Sequence, residues 1–182
     1  MINFVLPFLL FFGFYETGHK LVKTKVADGI TVSIPRALSP MTVEDMAQRF
    51  PSVRKPIGAF TDEGRVVDFS INQSATQWPD SNLEMARGFF KSGIQNLYDR
   101  VEWIGEGIKA VHKKNYIYFE FESRSNGGRR QEGGQDVSLK YTYIMYLIEQ
   151  NRTLVITFSC PQQLRGEWED TAHKMMGTVR IR

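Results

Sequence analysis

Three histidines and a single cysteine are the obvious candidates for chemistry in this 182-residue sequence, and their spacing argues against it. His19, His112 and His173 are far apart, and none sits in an HExxH or HxH arrangement, so no metal centre is expected. Cys160 stands alone, which rules out an intramolecular disulfide and a cysteine-based zinc site. As a nucleophile it would need a histidine packed beside it, with its thiol activated by the start of the following helix. Against that role, Cys160 ends an apolar run where a cysteine is ordinarily buried, and Pro161 lacks an amide that could serve an oxyanion. Gly105-Glu106-Gly107 and Gly127-Gly128 are too sparse to cradle phosphate and there is no GxxxxGK[ST]. The first pair is expected to mark a bulge or a close approach of another chain segment. The sequence thus offers no catalytic residue and no cofactor loop.

Two candidate contact features remain. Along one predicted strand, Ile117, Phe119 and Phe121 face one way, while Tyr116, Tyr118, Glu120 and Glu122 face the other. Tyrosine joins apolar area to a polar tip, so Tyr116 and Tyr118 with Glu120 form a candidate partner-binding row, with Lys140 and Thr142 as possible neighbours. The alternative is that a second helical layer covers them. The other feature is the glycine-rich stretch 125–135, whose Arg129 and Arg130 can pair with carboxylates or phosphates on a partner.

The elements that would position these residues follow from periodicity. Period-two apolar residues at Ile30, Val32 and Ile34 mark a strand that Pro35 ends. Thr42 is the expected N-cap of a short helix running to Arg49, with Glu44 and Asp45 in its first turn. A hairpin over residues 57–73 turns at Thr61-Asp62-Glu63-Gly64, where Gly64 is the expected positive-φ residue. Ser81 and Glu84 match a capping box for a helix with Leu83, Ala86, Phe90, Ile94 and Leu97 on one stripe. Strands then follow at residues 103–112, 115–124, 137–149 and 153–159, with turns at Lys113-Lys114-Asn115 and Gln150-Asn151-Arg152. A last helix from Pro161 carries Leu164, Trp168, Ala172 and Met175 and stops near Gly177. Seven strands joined mainly by hairpins, with three helices, predict an α+β domain with an antiparallel sheet covered by helices.

Composition fits that class: 42% hydrophobic and 24% charged residues are ordinary for a globular protein. The formal charge of +3 comes from 23 basic residues interspersed with 20 acidic ones, so nucleic acid is not an expected partner. Residues 2–15 form an apolar run of signal-peptide length, too short to span a bilayer, though no basic residue precedes it and no A-x-A-like site follows. The expected organisation is a leader over 1–18 acting as signal or short anchor, a basic connector over 19–28, and one domain over 29–182.

Several phrases together resemble the PsbP-like superfamily, and within it the DcrB-like bacterial proteins. They are Gly29-Ile30-Thr31-Val32-Ser33-Ile34-Pro35, the Ala59-Phe60-Thr61-Asp62-Glu63-Gly64-Arg65-Val66 hairpin, the long helix after Trp78, and the final helix with its short tail. The resemblance implies an α/β/α sandwich around an antiparallel sheet of about six to seven strands. It also implies a non-catalytic accessory or adaptor role, commonly in exported proteins, and brings no catalytic residues with it. The expected function is therefore that of an exported, periplasmic or membrane-tethered domain binding another protein, with membrane contact only through the leader. A Cys160-dependent enzyme is one alternative, and a binder of anionic surfaces or nucleic acid through Lys20, Lys23, Lys25, Arg129 and Arg130 is another.

Overall fold

The computed structural model describes residues 18–51, 55–79, 82–126 and 137–182. The leader, except for Gly18, and both Arg129 and Arg130 lie outside these residues. A seven-stranded antiparallel sheet runs in the order β3-β4-β5-β9-β8-β7-β6, formed by Ser39–Pro40, Gly58–Thr61, Asp68–Gln73, Arg152–Pro161, Val137–Glu149, Lys114–Asn126 and Arg100–Val111 respectively. A smaller three-stranded sheet holds β1 (Leu21–Ala27), β2 (Ile30–Pro35) and β10 (Arg180–Ile181) in the order β1-β2-β10. Three helices complete the fold: α1 (Val43–Arg49), α2 (Leu83–Leu97) and α3 (Arg165–Met176). The expected α+β class and the seven-stranded sheet are both present.

The large sheet is apolar on both faces, which is why it needs two covers. On one face Phe69, Phe158, Tyr143 and Met145 pack against Trp168, Ala172 and Met175 of α3 and against Ile30 and Val32 of the small sheet. On the other, Ile117, Phe119 and Phe121 pack against Ala86, Phe90 and Ile94 of α2. Phe90 stacks on Tyr146 with ring centroids 4.1 Å apart. The first of these cores, with 24 buried residues among those described against 8 in the second, supplies most of the stabilisation, at roughly 1.5–3 kcal/mol for each fully buried large side chain. The α2 stripe is buried at Ala86, Phe90 and Ile94 as periodicity predicts, but Leu83 at its start is half-buried and Leu97 at its end is exposed.

Four local expectations are corrected. The stretch read as a connector contains β1, which pairs with β2 from Leu21↔Pro35 to Ala27↔Ile30. Positive φ in the β4–β5 turn falls on Arg65 (φ 55) instead of Gly64, because Asp62 Oδ1 accepts from the amides of Val66 and Val67 at 2.8 Å and sets the turn. The α2 cap is Asn82, whose side chain accepts from the Met85 amide at 3.0 Å. The β6–β7 turn is made by His112 (φ 47) and Lys113 (φ 69), the paired left-handed conformation that a tight two-residue hairpin requires. The cap at Thr42 is as expected: Thr42 Oγ1 accepts from the Asp45 amide at 3.1 Å and Asp45 reaches back to the Thr42 amide at 3.3 Å. The expected bulge also occurs, between Trp103 and Gly105.

Candidate functional site

The row Tyr116, Tyr118, Glu120 and Glu122 does project from the face opposite Ile117, Phe119 and Phe121, but α3 and the small sheet cover that face. Tyr116 is fully buried, Glu120 is 5% exposed and Tyr118 is half-buried, so they do not form an open surface. Cross-strand register sets Glu120 opposite Tyr143, then Phe158, Phe69 and Phe60, so a carboxylate ends an otherwise aromatic row.

Burying that carboxylate requires partners, and they come from distant segments. Tyr141 donates its hydroxyl to Glu120 Oε1 at 2.6 Å, and His173 Nε2 lies 2.8 Å from the same oxygen. Burial would raise the Glu120 carboxyl, but the hydrogen bonds from His173 and Tyr141 outweigh it and hold the pKa below the ordinary value. The Glu120 hydrogen bond raises His173 in turn, and burial pushes the Tyr141 hydroxyl far up, with Glu120 adding to it. Two turns earlier on α3, Arg165 grips Glu169 at 3.0 and 3.1 Å and Glu122 at 2.8 Å, while Gln162 also donates to Glu122. Lys109 donates to the Tyr143 hydroxyl.

Glu120, Glu169 and His173 bring three ligand atoms within 4.8 Å of one another, the closest approach to a metal-binding arrangement among the described residues. Glu169 and His173 are four apart on one helix, a spacing the sequence does contain. Each donor is already engaged, however: His173 with Glu120, Glu120 with Tyr141, Glu169 with both arms of Arg165. A cation would have to displace Arg165, so the arrangement reads as an ion-pair network clamping α3 to the sheet.

Cys160 is fully buried, and burial followed by the nearby Glu167 charge pushes its thiol up to about 12. A thiol so raised is not a nucleophile at neutral pH.

An open concave surface lies elsewhere on the large sheet. Beside α1, strands β5 and β9 carry polar side chains on the face opposite Phe69 and Phe158, and a groove of about 680 Å³ runs over Ser70, Asn72, Thr157 and Ser159. Lys140 stands at one wall, and Arg49 and Arg65 at the other. Arg49, the last residue of α1, reaches Asp68 and the Arg65 carbonyl, and so fixes that wall to the β4–β5 turn. Arg65 pairs with Asp45 at 3.4 Å, whereas Lys140 has no ion-pair partner among the described residues. The groove lining contains no histidine and no cysteine, and its one carboxylate, Asp68, is held by Arg49 and by the Thr61 hydroxyl.

No family model and no curated protein matches the sequence. Solved structures do resemble the fold. Cyanobacterial PsbP (CyanoP) from Synechocystis sp. PCC 6803 superposes with a TM-score of 0.59 at 11% identity, over 90% of this chain and 93% of that one. The Saccharomyces cerevisiae Ran-binding protein Mog1p gives 0.57 at 10% identity, over 90% and 96%. LpqN of Mycobacterium tuberculosis, described as involved in cell envelope biogenesis, gives 0.53 at 13% identity, over 88% and 91%. The chain has the PsbP-like α+β fold.

Proposed function

We propose that this chain is a non-catalytic accessory domain that binds another protein, using the groove over β5 and β9 as its contact surface. The observation that carries this reading is the groove itself: a concave surface on the large sheet, lined by hydroxyl and amide groups, with Lys140, unpaired among the described residues, at one wall and its single carboxylate, Asp68, held by Arg49. An extended polar segment bearing acidic side chains would meet hydrogen-bonding partners on the floor and Lys140 at the wall. The fold supports the reading by analogy, since it is shared with a protein described as Ran-binding. The apolar run over residues 2–15 supports an exported, periplasmic or membrane-tethered location, and no described helix is long and apolar enough to cross a membrane.

A photo-crosslinkable residue placed at Thr157 or at Lys140, with a control at Lys25 in β1, tests the surface directly. The same protein should be captured from the native host at both groove positions and not at the control, and Lys140→Glu should weaken its purified complex about three- to tenfold. Equal capture at all three positions, or none at the groove, would reject this surface.

A further inference from the structure

We propose that a second, basic cleft, beside the β6–β7 turn and β10, binds an amphiphilic anion, one with an apolar body and a phosphate or carboxylate head. The cleft, about 320 Å³, opens between the β6–β7 turn and β10. That volume lies at the lower end of the range for small-molecule sites. Its apolar lining is Val111, Val179 and Ile181, all buried, and its polar lining includes His112, Lys113 and Arg180. There is no aspartate or glutamate in the lining. Lys114, also at the cleft, is neutralised by Glu149 at 2.5 Å, but Lys113 and Arg180 have no carboxylate partner among the described residues.

A second observation points to a ligand independently of charge. Tyr116 lines the same cleft and is fully buried, yet its hydroxyl has no hydrogen-bond partner among the described residues. A buried hydroxyl left unpaired costs about 1–3 kcal/mol, so such groups ordinarily find a partner. Burial, with the Glu149 charge adding to it, holds this phenol at about 12, so it stays protonated and has a proton to donate. An anionic oxygen is the acceptor that would satisfy it together with Lys113, Arg180 and Arg182, the cations of the lining without an ion pair among the described residues. The turn geometry supports the arrangement. The left-handed pair His112 and Lys113 closes the hairpin in two residues, and Arg180 Nε donates to His112 Nε2 at 3.3 Å, holding β10 against that turn.

The probes are octyl phosphate, octanoate and neutral octanol, titrated into the full chain and followed by amide chemical shifts. The proposal expects one or both anions to shift resonances of residues 111–116 and 179–181, with octanol at least about tenfold weaker. Lys113→Gln with Arg180→Gln should weaken the anion about tenfold or more, and Tyr116→Phe should weaken it about three- to tenfold. Equal binding of octanol, shifts mapping elsewhere, or affinity unmoved in the double variant would overturn it. The wild-type shift map decides the question even if a variant fails to fold. Phosphatidylglycerol vesicles, compared with phosphatidylcholine ones, separate the two sources of the anion. Binding to the former with the same loss in the double variant identifies a lipid headgroup, and binding of the soluble anions alone identifies a free ligand.

Discussion

Glu120 and His173 are 53 residues apart in sequence and meet at 2.8 Å, joining the middle of β7 to the last turns of α3. Glu120 is 93% buried at its side chain and His173 about half exposed, so the pair sits at the boundary between core and water. Neither residue has a local partner that would account for its position. Their pairing makes the docking of α3 depend on pH.

The sign of that dependence follows from both shifts. The His173 pKa is raised from 6.5 by its hydrogen bond to Glu120, with the Glu120 and Glu169 charges adding and burial and Lys109 opposing. Its stabilisation is therefore fully present below 6.5 and is lost as pH rises through the higher folded value. Glu120 is lowered from 4.5, so its contribution is present above 4.5 and is lost as pH falls through the lower folded value. The pair should contribute most between these limits, by roughly 0.5–1 kcal/mol after allowing for the exposure of His173. Urea midpoints measured from pH 4 to 9 should show a maximum in that window, and His173→Gln should flatten the alkaline side of the curve. An unchanged alkaline limb would mean that the histidine does not protonate in the folded state.

Tyr141→Phe removes one of the two hydrogen bonds to Glu120 while preserving the ring that stands against Phe158 at 6.3 Å. A hydrogen bond to a buried charge is worth about 1.5–3 kcal/mol, and that is the expected loss in denaturant unfolding, with an unchanged m-value. A loss under about 0.5 kcal/mol would indicate that water reaches Glu120 in place of the hydroxyl.

The sequence carried the large sheet and two helical covers plainly, because alternation in β7 and β9 and the stripes on α2 and α3 are strong and long. It concealed the small sheet. In β1 no residue is fully buried and the half-buried positions do not alternate, and Lys23 and Lys25 give it the composition of a linker. The site was harder still. Alternation in β7 separates Tyr116, Tyr118 and Glu120 from Ile117, Phe119 and Phe121, and a row holding tyrosines and glutamates looks like the wet face. What makes it dry is supplied by α3, through Arg165 and His173, and no local pattern announces a partner so far along the chain. The groove escaped for the opposite reason: Ser70, Asn72, Thr157 and Ser159 are unremarkable as residues, and only the register of β5 against β9 sets them side by side.

Cys160 should resist thiol reagents in the folded protein. Its thiol is fully buried and held at about 12, so modification requires opening of β9 or global unfolding. Labelling with a chromogenic disulfide at pH 8 should be negligible in buffer and complete in denaturant, with rates in between following the unfolding equilibrium. Stoichiometric labelling within seconds under native conditions would restore the nucleophile reading.

Gly58 offers the sharpest test of whether β1 belongs to the folded unit. A Cβ placed there would stand 2.2 Å from Cγ1 of Val26, far inside contact distance, so the small sheet lies directly over the start of β4. Valine is stiff about its one rotatable side-chain bond, so its methyl yields only at a cost. Gly58→Ala should therefore cost about 1–3 kcal/mol of unfolding free energy through overpacking. Val26→Ala alone should cost less, because Val26 is only half-buried. In the double variant the Gly58 penalty should largely vanish, giving a favourable coupling of about 1–2 kcal/mol in the mutant cycle. Additive losses would mean that residues 21–27 pack against the domain too loosely to feel the added methyl group.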